Sequence, residues 1–389
     1  MIPLSKQVQS LPAYLFSLFH KKKMALTAQG IDVIDLGIGA PDLSTPPFII
    51  DKLIQEVRKP ENHKYPPYQG CAEFKQAVSD VYQRRFQVPL DMDREILALI
   101  GSKEGIAHLI QSVLDPGDGV LSPDPGYPVY QSAVHLAYGV TIPYTLNPEE
   151  NFAPAFDHIS ERDCARAKLM ILNYPNNPTG GTVDLETYEK AVRFAKKNQL
   201  ILLQDAAYDL VTFGDYHSPS LLQAEGGKDV GIEFGSLSKS FNMAGWRIGY
   251  AAGNEELIQG LALVKSNRDT GQFPAVQKAG AAALNSSFDS VLTNNRTYDM
   301  RFNIILPELE EMNIMAEKPR GTFFIWARVP EGYTSQSFAE KMLDEAGIIL
   351  TPGTAFGQQG EGYIRISLTH PVERLHEAVL RMKKAMKGG

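Results

Sequence analysis

Residues 169–205 read LMILNYPNNPTGGTVDLETYEKAVRFAKKNQLILLQD and contain the unit from which the fold is predicted. The stretch opens with a short apolar run, Leu169–Asn173, which is typical of a strand buried on both faces of a parallel sheet. A loop rich in Pro and Gly follows, and then an amphipathic segment, Leu185–Asn198, that is long enough for a helix. A second apolar run, Leu200–Gln204, leads to the end of the stretch. Strand, helix and strand in this order predict a βαβ unit.

The same alternation continues on both sides of this unit. Other apolar runs of strand length are rich in Ile, Leu and Val: Ile96–Ile100, Gly119–Ser122, Ile232–Ser236 and Ile248–Ala252. The segment Ala107–Leu114, between the first two runs, has the periodicity of an amphipathic helix. The pattern predicts an α/β fold in which helices cover both faces of a sheet.

The two ends of the chain predict a second, smaller domain. A short strand is expected at Val33–Leu36 and a long helix near Phe288–Met312. After that helix come a strand, a helix, a strand and a last helix: Gly321–Ala327, Ser335–Ala346, Tyr363–Leu368 and Val372–Lys387. We therefore expect a large α/β domain over residues 44–285 and a smaller α+β domain formed by residues 1–43 and 286–389.

The composition limits the classes of function. The chain has 389 residues, of which 43% are hydrophobic, so it can form sizeable cores without disulfides. Its net charge of −7 argues against non-specific binding to nucleic acid or to anionic membranes. Its two cysteines are too few for a disulfide framework or a cysteine-rich zinc site, and no run approaches the ~18 apolar residues of a membrane span. We expect a cytoplasmic protein that binds neither nucleic acid nor membranes and that holds no metal.

Two glycine-containing motifs follow predicted strands. Gly101–Gly105 (GSKEG) opens a helix, where backbone N–H groups and the helix dipole favour an anion. Asn173–Gly181 (NYPNNPTGG) has two X-Pro bonds and two glycines, which predict a non-helical loop. This loop lies at the edge where open α/β sheets bind ligands. Taken singly, the motifs could also be a plain helix cap and a plain turn.

Two other motifs carry ionisable side chains. Asp205 ends a predicted buried strand, with Tyr208 three residues later, and a buried carboxylate needs a cation or a donor. Lys239 stands among small and apolar residues, so desolvation could lower its pKa and make the neutral amine a nucleophile. Arg247, eight residues on, could bind a phosphate through two hydrogen bonds. A helix cap and an ordinary surface lysine are the alternatives for Asp205 and Lys239.

The four motifs together supply an anion cradle, an acid, a phenol and a nucleophilic lysine. An anionic aldehyde cofactor with a ring nitrogen requires this set of groups. Pyridoxal 5'-phosphate is such a cofactor.

The sequence resembles the class I and II aminotransferases, which are pyridoxal-phosphate enzymes of fold type I, nearly from end to end. Three segments carry the resemblance in the family's order and spacing: Asn177–Gly180 (NPTG), Asp205–Tyr208 (DAAY) and Ser236–Arg247 (SLSKSFNMAGWR). Gly37–Asp42 (GIGAPD) and Gly101–Gly105 resemble the branch that contains LL-diaminopimelate, alanine and aspartate aminotransferases. The resemblance implies a large domain with a mixed, mostly parallel sheet flanked by helices, and a homodimer with shared active sites.

The resemblance also implies roles around the cofactor. Lys239 would form the internal aldimine and move a proton during the reaction, and Asp205 would pair with the protonated pyridine nitrogen. Tyr208 and Asn177 would donate to the phenolic oxygen of the ring, and Lys239, Asp205 and Tyr208 are the predicted catalytic residues. The residues implied to stack on the ring or to bind the phosphate are Tyr127, Ser102, Lys103, Ser236, Arg247 and the partner subunit's Tyr65.

The substrate contacts are implied less completely. Arg365 would bind the α-carboxylate of the substrate through two hydrogen bonds, with help from the Gly39 backbone N–H and from Asn177. The roles of four residues stay open. Lys265 and Arg268 could bind a side-chain carboxylate of the substrate or be surface charges. Tyr14 and Phe16 could close over the site or pack on the small domain.

The function that the resemblance implies is transfer of an amino group from an amino acid to a 2-oxo acid, by a ping-pong mechanism through pyridoxamine phosphate. A C–S lyase or a related lyase on the same scaffold is the alternative, because Lys239 and Asp205 would serve both reactions. A dinucleotide-binding dehydrogenase is disfavoured, since Pro41 and the lack of a third glycine spoil the turn after Gly37–Gly39. A non-catalytic regulator with a DNA-binding domain ahead of an aminotransferase-like domain is disfavoured. The motifs begin near residue 37, which leaves too few residues before them for a helix-turn-helix domain. The amino donor and the 2-oxo acid stay open.

Overall fold

The structure is a computed structural model that describes residues 4–11 and 15–387, with only the backbone for residues 15–21. The strands are β1 (Ile34–Asp35), β2 (Ile96–Leu99), β3 (Gly119–Asp124), β4 (Val140–Thr145), β5 (Ala167–Asn173), β6 (Ile201–Asp205), β7 (Gly231–Ser236), β8 (Gly249–Gly253), β9 (Phe324–Arg328), β10 (Ile348–Ile349), β11 (Thr351–Pro352) and β12 (Tyr363–Ser367).

The α-helices are α1 (Lys6–Gln9), α2 (Leu15–Ala28), α3 (Pro47–Val57), α4 (Ala72–Phe86), α5 (Ser102–Val113), α6 (Val129–Leu136), α7 (Glu161–Arg166), α8 (Leu185–Asn198), α9 (Gly227–Val230), α10 (Leu237–Ser240), α11 (Glu255–Ser266), α12 (Pro274–Leu284), α13 (Asp289–Glu310), α14 (Ser335–Ala346) and α15 (Val372–Lys387). Among the described residues, no helix combines the length and the apolar character needed to cross a membrane.

Seven strands form one mixed sheet in the order β2-β8-β7-β6-β5-β3-β4. β8 runs antiparallel to both of its neighbours, and the other paired strands are parallel. Alternate residues of β2 belong to different core clusters: Ile96 and Ala98 pack with residues of α4 and α12, whereas Leu97 and Leu99 pack with residues of α5 and α11. Helices therefore cover both faces, and the predicted α/β fold with a mostly parallel sheet is confirmed.

Helix α8 was predicted from the sequence and strand β4 was not, and the local sequence of each explains the difference. Helix α8 has the predicted bounds, because the Asp184 side chain caps it by accepting from the Thr187 N–H at 2.9 Å and Gln199 ends it in the left-handed region at φ 56°. Strand β4 was not predicted. It is an edge strand with alternating exposure and a proline at position 143, so it offers no continuous apolar run.

The remaining strands form two small sheets near the ends of the chain. β11, β12 and β9 form an antiparallel sheet, and β1 pairs with β10 in parallel. β9 begins three residues later than predicted, because Thr322 takes a positive φ of 68°, which a strand does not allow. The core beside these sheets contains residues from both ends of the chain and also Tyr208 and Val211. The division at residues 43 and 285 stays a prediction.

The register of the large sheet brings the sequence motifs together. Asn173, the last residue of β5, is paired with Asp205, the last residue of β6, and Asp205 is paired with Phe234 of β7. Because these strands are parallel, their carboxyl ends lie at one edge, and so do the loops that carry the motifs.

Candidate active site

A cleft of about 380 Å³ lies at this edge of the sheet. It brings together eleven of the twelve residues predicted for the site: Gly39, Ser102, Lys103, Tyr127, Asn177, Asp205, Tyr208, Ser236, Lys239, Arg247 and Arg365. The twelfth, Tyr65, does not line the cleft and is 88% exposed.

Lys239 lies on the short helix α10, directly after β7. The side chain of Ser236 caps this helix by accepting from the Ser238 N–H at 3.2 Å. The Lys239 Nζ donates to the Gly39 carbonyl oxygen at 2.6 Å and lies 5.9 Å from the centre of the Tyr208 ring. Burial lowers the pKa of Lys239 to about 8, and the nearby charges of Arg365 and Arg247 act in the same direction. A sizeable fraction of neutral amine is therefore available near neutral pH.

Asp205 is a buried carboxylate at the end of β6. Its Oδ2 accepts from the Tyr130 hydroxyl at 2.8 Å, and its Oδ1 accepts from the Ala207 N–H at 3.3 Å. Burial raises the pKa of Asp205 to about 6, although the hydrogen bond from Tyr130, that from the Ala207 N–H and the charge of Lys239 oppose the rise. A carboxylate in this environment favours a cationic partner in the cleft.

Tyr130 also lines the cleft and was not predicted. Its position in the sequence, three residues after Tyr127, gives no sign that it reaches Asp205, which is 75 residues away. Its ring meets that of Tyr127 edge to face, with 5.6 Å between the ring centres. Tyr127 is half-buried in the cleft wall, where it could stack on a planar ligand.

An anion cradle lies at the start of α5. Gly101 takes a φ of 84°, and a Cβ at that position would lie 2.2 Å from the Arg247 Nη2. Glycine at this position therefore leaves room for the guanidinium against the helix start, where the N–H groups of the first turn have no partner within the helix. The Arg247 guanidinium donates to the carbonyl oxygens of Ala244 and Ile100, and the side chain is exposed. The cradle can bind a phosphate.

Arg365 lies on the opposite wall, on strand β12, and is 2% exposed. Its Nη1 donates to the Asn177 Oδ1 at 2.7 Å, and its Nη2 donates to the Gly37 carbonyl oxygen at 2.6 Å. The guanidinium lies 4.1 Å from the centre of the Phe324 ring and 4.8 Å from that of Phe356. The guanidinium lines the cleft, where its planar group can bind a carboxylate through two hydrogen bonds.

Tyr208 is buried between Arg365 and the aromatic residues of the small sheet. Its ring centre lies 5.5 Å from that of Phe323 and 5.6 Å from that of Phe324. Burial raises the pKa of Tyr208, although the charge of Arg365 acts against the rise. The phenol therefore stays protonated and can donate a hydrogen bond into the cleft.

The two cations left open by the sequence do not line the cleft. Lys265 is neither a surface charge nor a cleft residue: it is 1% exposed and binds Glu104 at 2.9 Å and Asp269 at 2.6 Å. Arg268 is exposed and donates to the Gln111 side chain at 3.0 Å. Tyr14 lies outside the described residues, and so does the side chain of Phe16.

Comparisons with known proteins agree with this geometry. The family model described as aminotransferase class I and II matches residues 31–382. The chain is 48% identical over 382 residues to the LL-diaminopimelate aminotransferase of Moorella thermoacetica, with 98% of each chain covered. It is 49% identical over 383 residues to the enzyme of that name from Aquifex aeolicus, with 98% of this chain and 99% of the relative covered.

Solved structures show the same architecture. A substrate-bound BacF structure from Bacillus subtilis superposes with a TM-score of 0.95 at 37% identity, covering 99% of this chain and 98% of that one. A probable N-succinyldiaminopimelate aminotransferase from Thermus thermophilus gives a TM-score of 0.90 at 34% identity, covering 95% of this chain and 99% of that one.

Proposed function

The chain belongs to the class I and II aminotransferase family and is a pyridoxal-phosphate-dependent transaminase, and we propose that it moves an amino group between LL-diaminopimelate and a 2-oxo acid. The relatives from Moorella and Aquifex, which match nearly the whole chain, support this choice of substrate. The meeting of Lys239, Asp205 and Arg365 in one cleft is the observation that carries amino transfer, whereas the choice of LL-diaminopimelate rests on these relatives. The comparisons give the lyase alternative no support.

The residues of the cleft fit the cofactor. The glycine at position 101 leaves room for Arg247 at the start of α5, where Ser102 and Ser236 also line the cleft and a phosphate would be held. Asp205 would meet the ring nitrogen, Tyr127 the ring face, and Asn177 and Tyr208 the phenolic oxygen. Bound there, pyridoxal phosphate supplies an aldehyde that condenses with amines and a ring that withdraws electrons from the α-carbon of the substrate.

Lys239 would act at both stages of the reaction. Its amine, with a pKa lowered to about 8, is nucleophilic enough to hold the cofactor covalently. The Lys239 Nζ would move protons at the substrate, as the base that takes the α-proton and as the acid that returns a proton.

Arg365 would hold the substrate by its α-carboxylate. The guanidinium is fixed by Asn177 and by the carbonyl of Gly37, so its direction is set before the substrate arrives. The Gly39 backbone N–H would bind the same carboxylate.

We also propose a homodimer in which the partner subunit's Tyr65 completes the phosphate site. In support, Tyr65 is exposed in the single chain and lies outside its own cleft. A large domain of residues 44–285 and a small domain from both ends of the chain remain part of this proposal, as does a cytoplasmic location.

A panel of amino donors tests the substrate. The purified holoenzyme is mixed with LL-diaminopimelate, L-lysine, L-aspartate or L-alanine without an acceptor, and loss of the yellow absorbance is followed. We expect LL-diaminopimelate to react with a kcat/KM at least about 100-fold above that of L-lysine, which lacks the second carboxylate. A faster reaction with L-lysine or L-aspartate would replace the proposed substrate and leave the aminotransferase assignment intact.

A further inference from the structure

Tyr130 joins two groups that the proposed function assigns to the cofactor ring. It lies in the first turn of α6 and is fully buried, yet it forms part of the cleft wall. Its hydroxyl donates to the Asp205 Oδ2 at 2.8 Å, and its ring supports that of Tyr127 edge to face, with an interplanar angle of 88°. One side chain thus contacts both the acid expected at the ring nitrogen and the aromatic ring expected on the ring face.

We propose that Tyr130 is a positioning residue that orients the Asp205 carboxylate toward the ring nitrogen of the cofactor and holds it in the ionised form. This inference rests on the proposed function, because it requires Asp205 to pair with the cofactor. Tyr130 itself would not touch the reacting atoms.

The geometry gives the hydroxyl this role. The Tyr130 O–H donates to one carboxylate oxygen, Oδ2. Among the described hydrogen bonds, the other oxygen, Oδ1, accepts only from the Ala207 N–H, at the longer distance of 3.3 Å. Oδ1 can therefore accept a further hydrogen bond from a ring N–H. The Asn173 side chain donates to the main-chain oxygen of Asp205 and so fixes the backbone rather than the carboxylate. Loss of the Tyr130 hydroxyl would therefore free the carboxylate to turn.

The charge of Asp205 depends on few neighbours. The ionisable groups that face it are Tyr130 on α6, Lys239 on α10 and Tyr208 on the loop after β6. Burial raises the pKa of Asp205, and the hydrogen bond from Tyr130 opposes that rise more than the charge of Lys239 does. Removal of the hydroxyl should therefore protonate Asp205 over a range of pH in which the native carboxylate is ionised.

The test compares Tyr130→Phe with Tyr144→Phe. Tyr144 is another buried tyrosine, and its hydroxyl donates to the Ile171 carbonyl oxygen at 2.7 Å rather than to Asp205. Both substitutions keep the ring and remove one buried hydroxyl, so the packing of each ring is preserved. Binding of pyridoxal phosphate to each apoprotein is titrated from pH 6 to pH 9, with melting temperatures measured beside it.

We expect Tyr130→Phe to weaken cofactor binding roughly 10-fold at pH 6, the effect of one hydrogen bond to a charged group, and by a much smaller factor at pH 9. At pH 9 Asp205 is ionised in every variant, so only the lost orientation of the carboxylate weakens binding there. Tyr144→Phe should match the wild type throughout. A Tyr130→Phe curve that overlays the Tyr144→Phe curve, or that is displaced equally at every pH, would overturn the inference.

A double-mutant cycle separates this inference from the function on which it rests. In an Asp205→Asn background, the Tyr130→Phe change should have no further effect on cofactor binding, because the carboxylate that it acts on is gone. A full additional loss would show that Tyr130 acts elsewhere. If Asp205→Asn alone binds the cofactor as well as the wild type at every pH, the proposed role of Asp205 fails, and not only that of Tyr130.

Discussion

Two buried carboxylates on neighbouring strands have different surroundings in this protein. Asp205 ends β6 and lines the cleft, whereas Glu233 lies inside β7, paired in register with Gln204. Because side chains alternate along a strand, the offset of one residue turns Glu233 to the face opposite that of Asp205. There its carboxylate accepts from the Tyr82 hydroxyl at 2.6 Å, from the Ser220 hydroxyl at 3.1 Å and from the Leu221 N–H at 2.9 Å.

Burial raises the pKa of both carboxyl groups, that of Asp205 to about 6 and that of Glu233 to about 7. The difference lies in what surrounds them. Glu233 is enclosed by donors of the protein itself and serves the core, whereas Asp205 faces a cleft. A shifted pKa therefore marks a reactive group only when the side chain also has access to a ligand.

The largest effect is expected at the cleft edge, from Lys239→Ala. Loss of the only group assigned to move the α-proton should lower the rate of amino transfer by up to about 10,000-fold. Single-turnover kinetics with the best donor would measure it, and borohydride reduction of the wild type followed by peptide mapping should find the cofactor on Lys239. Lys190→Ala is the control, since Lys190 is an exposed lysine that pairs with Glu186. A label on another lysine would remove the central assignment.

Two isosteric substitutions test the difference between Asp205 at the cleft and Glu233 in the core. Asp205→Asn should lower kcat roughly 100- to 1,000-fold, because the charge opposite the ring nitrogen is lost from a site with little water. Glu233→Gln should leave kcat within about threefold, although the two carboxylates lie on adjacent strands. Equal losses of activity in the two variants would show that Asp205 at the cleft and Glu233 in the core do not differ in function.

Arg365→Ala should act on every substrate. The guanidinium is assigned to the α-carboxylate, which all amino acids share, so KM should rise about 100-fold for each donor that the enzyme accepts. Steady-state kinetics with three donors would measure this. The exposed Arg268 provides the control Arg268→Ala, for which KM should stay as in the wild type. An increase confined to one donor would contradict the assignment.

Substitution of Glu233 should have the smallest effect on activity, but it should change how the free energy of unfolding depends on pH. Its folded pKa of about 7 lies above the ordinary value of 4.5, so the folded protein binds the extra proton. The stability that this group contributes is complete below pH 4.5 and is lost as the pH rises through about 7, a change of about 3 kcal/mol. Urea unfolding at several pH values should show this loss in the wild type and not in Glu233→Gln. Parallel curves for the two proteins would refute it.

The fold could be read from the sequence because its strands are continuous apolar runs. The run Leu169–Asn173 was found within β5, and α8 was found with its bounds, since its amphipathic pattern covers the whole helix. β4 and the two-residue strands β10 and β11 were missed. The edge strand β4, which contains proline, and the strands β10 and β11 owe their pairing to the folded chain rather than to their own sequence.

The candidate site was predictable to the extent that its residues follow strands. Asp205 and Ser236 end theirs, and Lys239 comes three residues later, so their meeting at one edge follows from parallel pairing. Tyr130 and Lys265 could not be read in this way. The partner of Tyr130 is 75 residues away, and Lys265 is buried because Glu104, 161 residues earlier, lies beside it.

The reversed direction of β8 has a consequence for how this enzyme can vary. Antiparallel neighbours are joined at one edge of a sheet, whereas a parallel neighbour would need a crossover that returns to the opposite edge. The chain therefore turns back between Ser236 and Gly249 at the edge that holds the cleft, and this one connection carries both the amine of Lys239 and the guanidinium of Arg247. Insertions or deletions in this connection would change the distance between the Lys239 amine and the Arg247 guanidinium, so we expect its length to vary less than that of the outer loops.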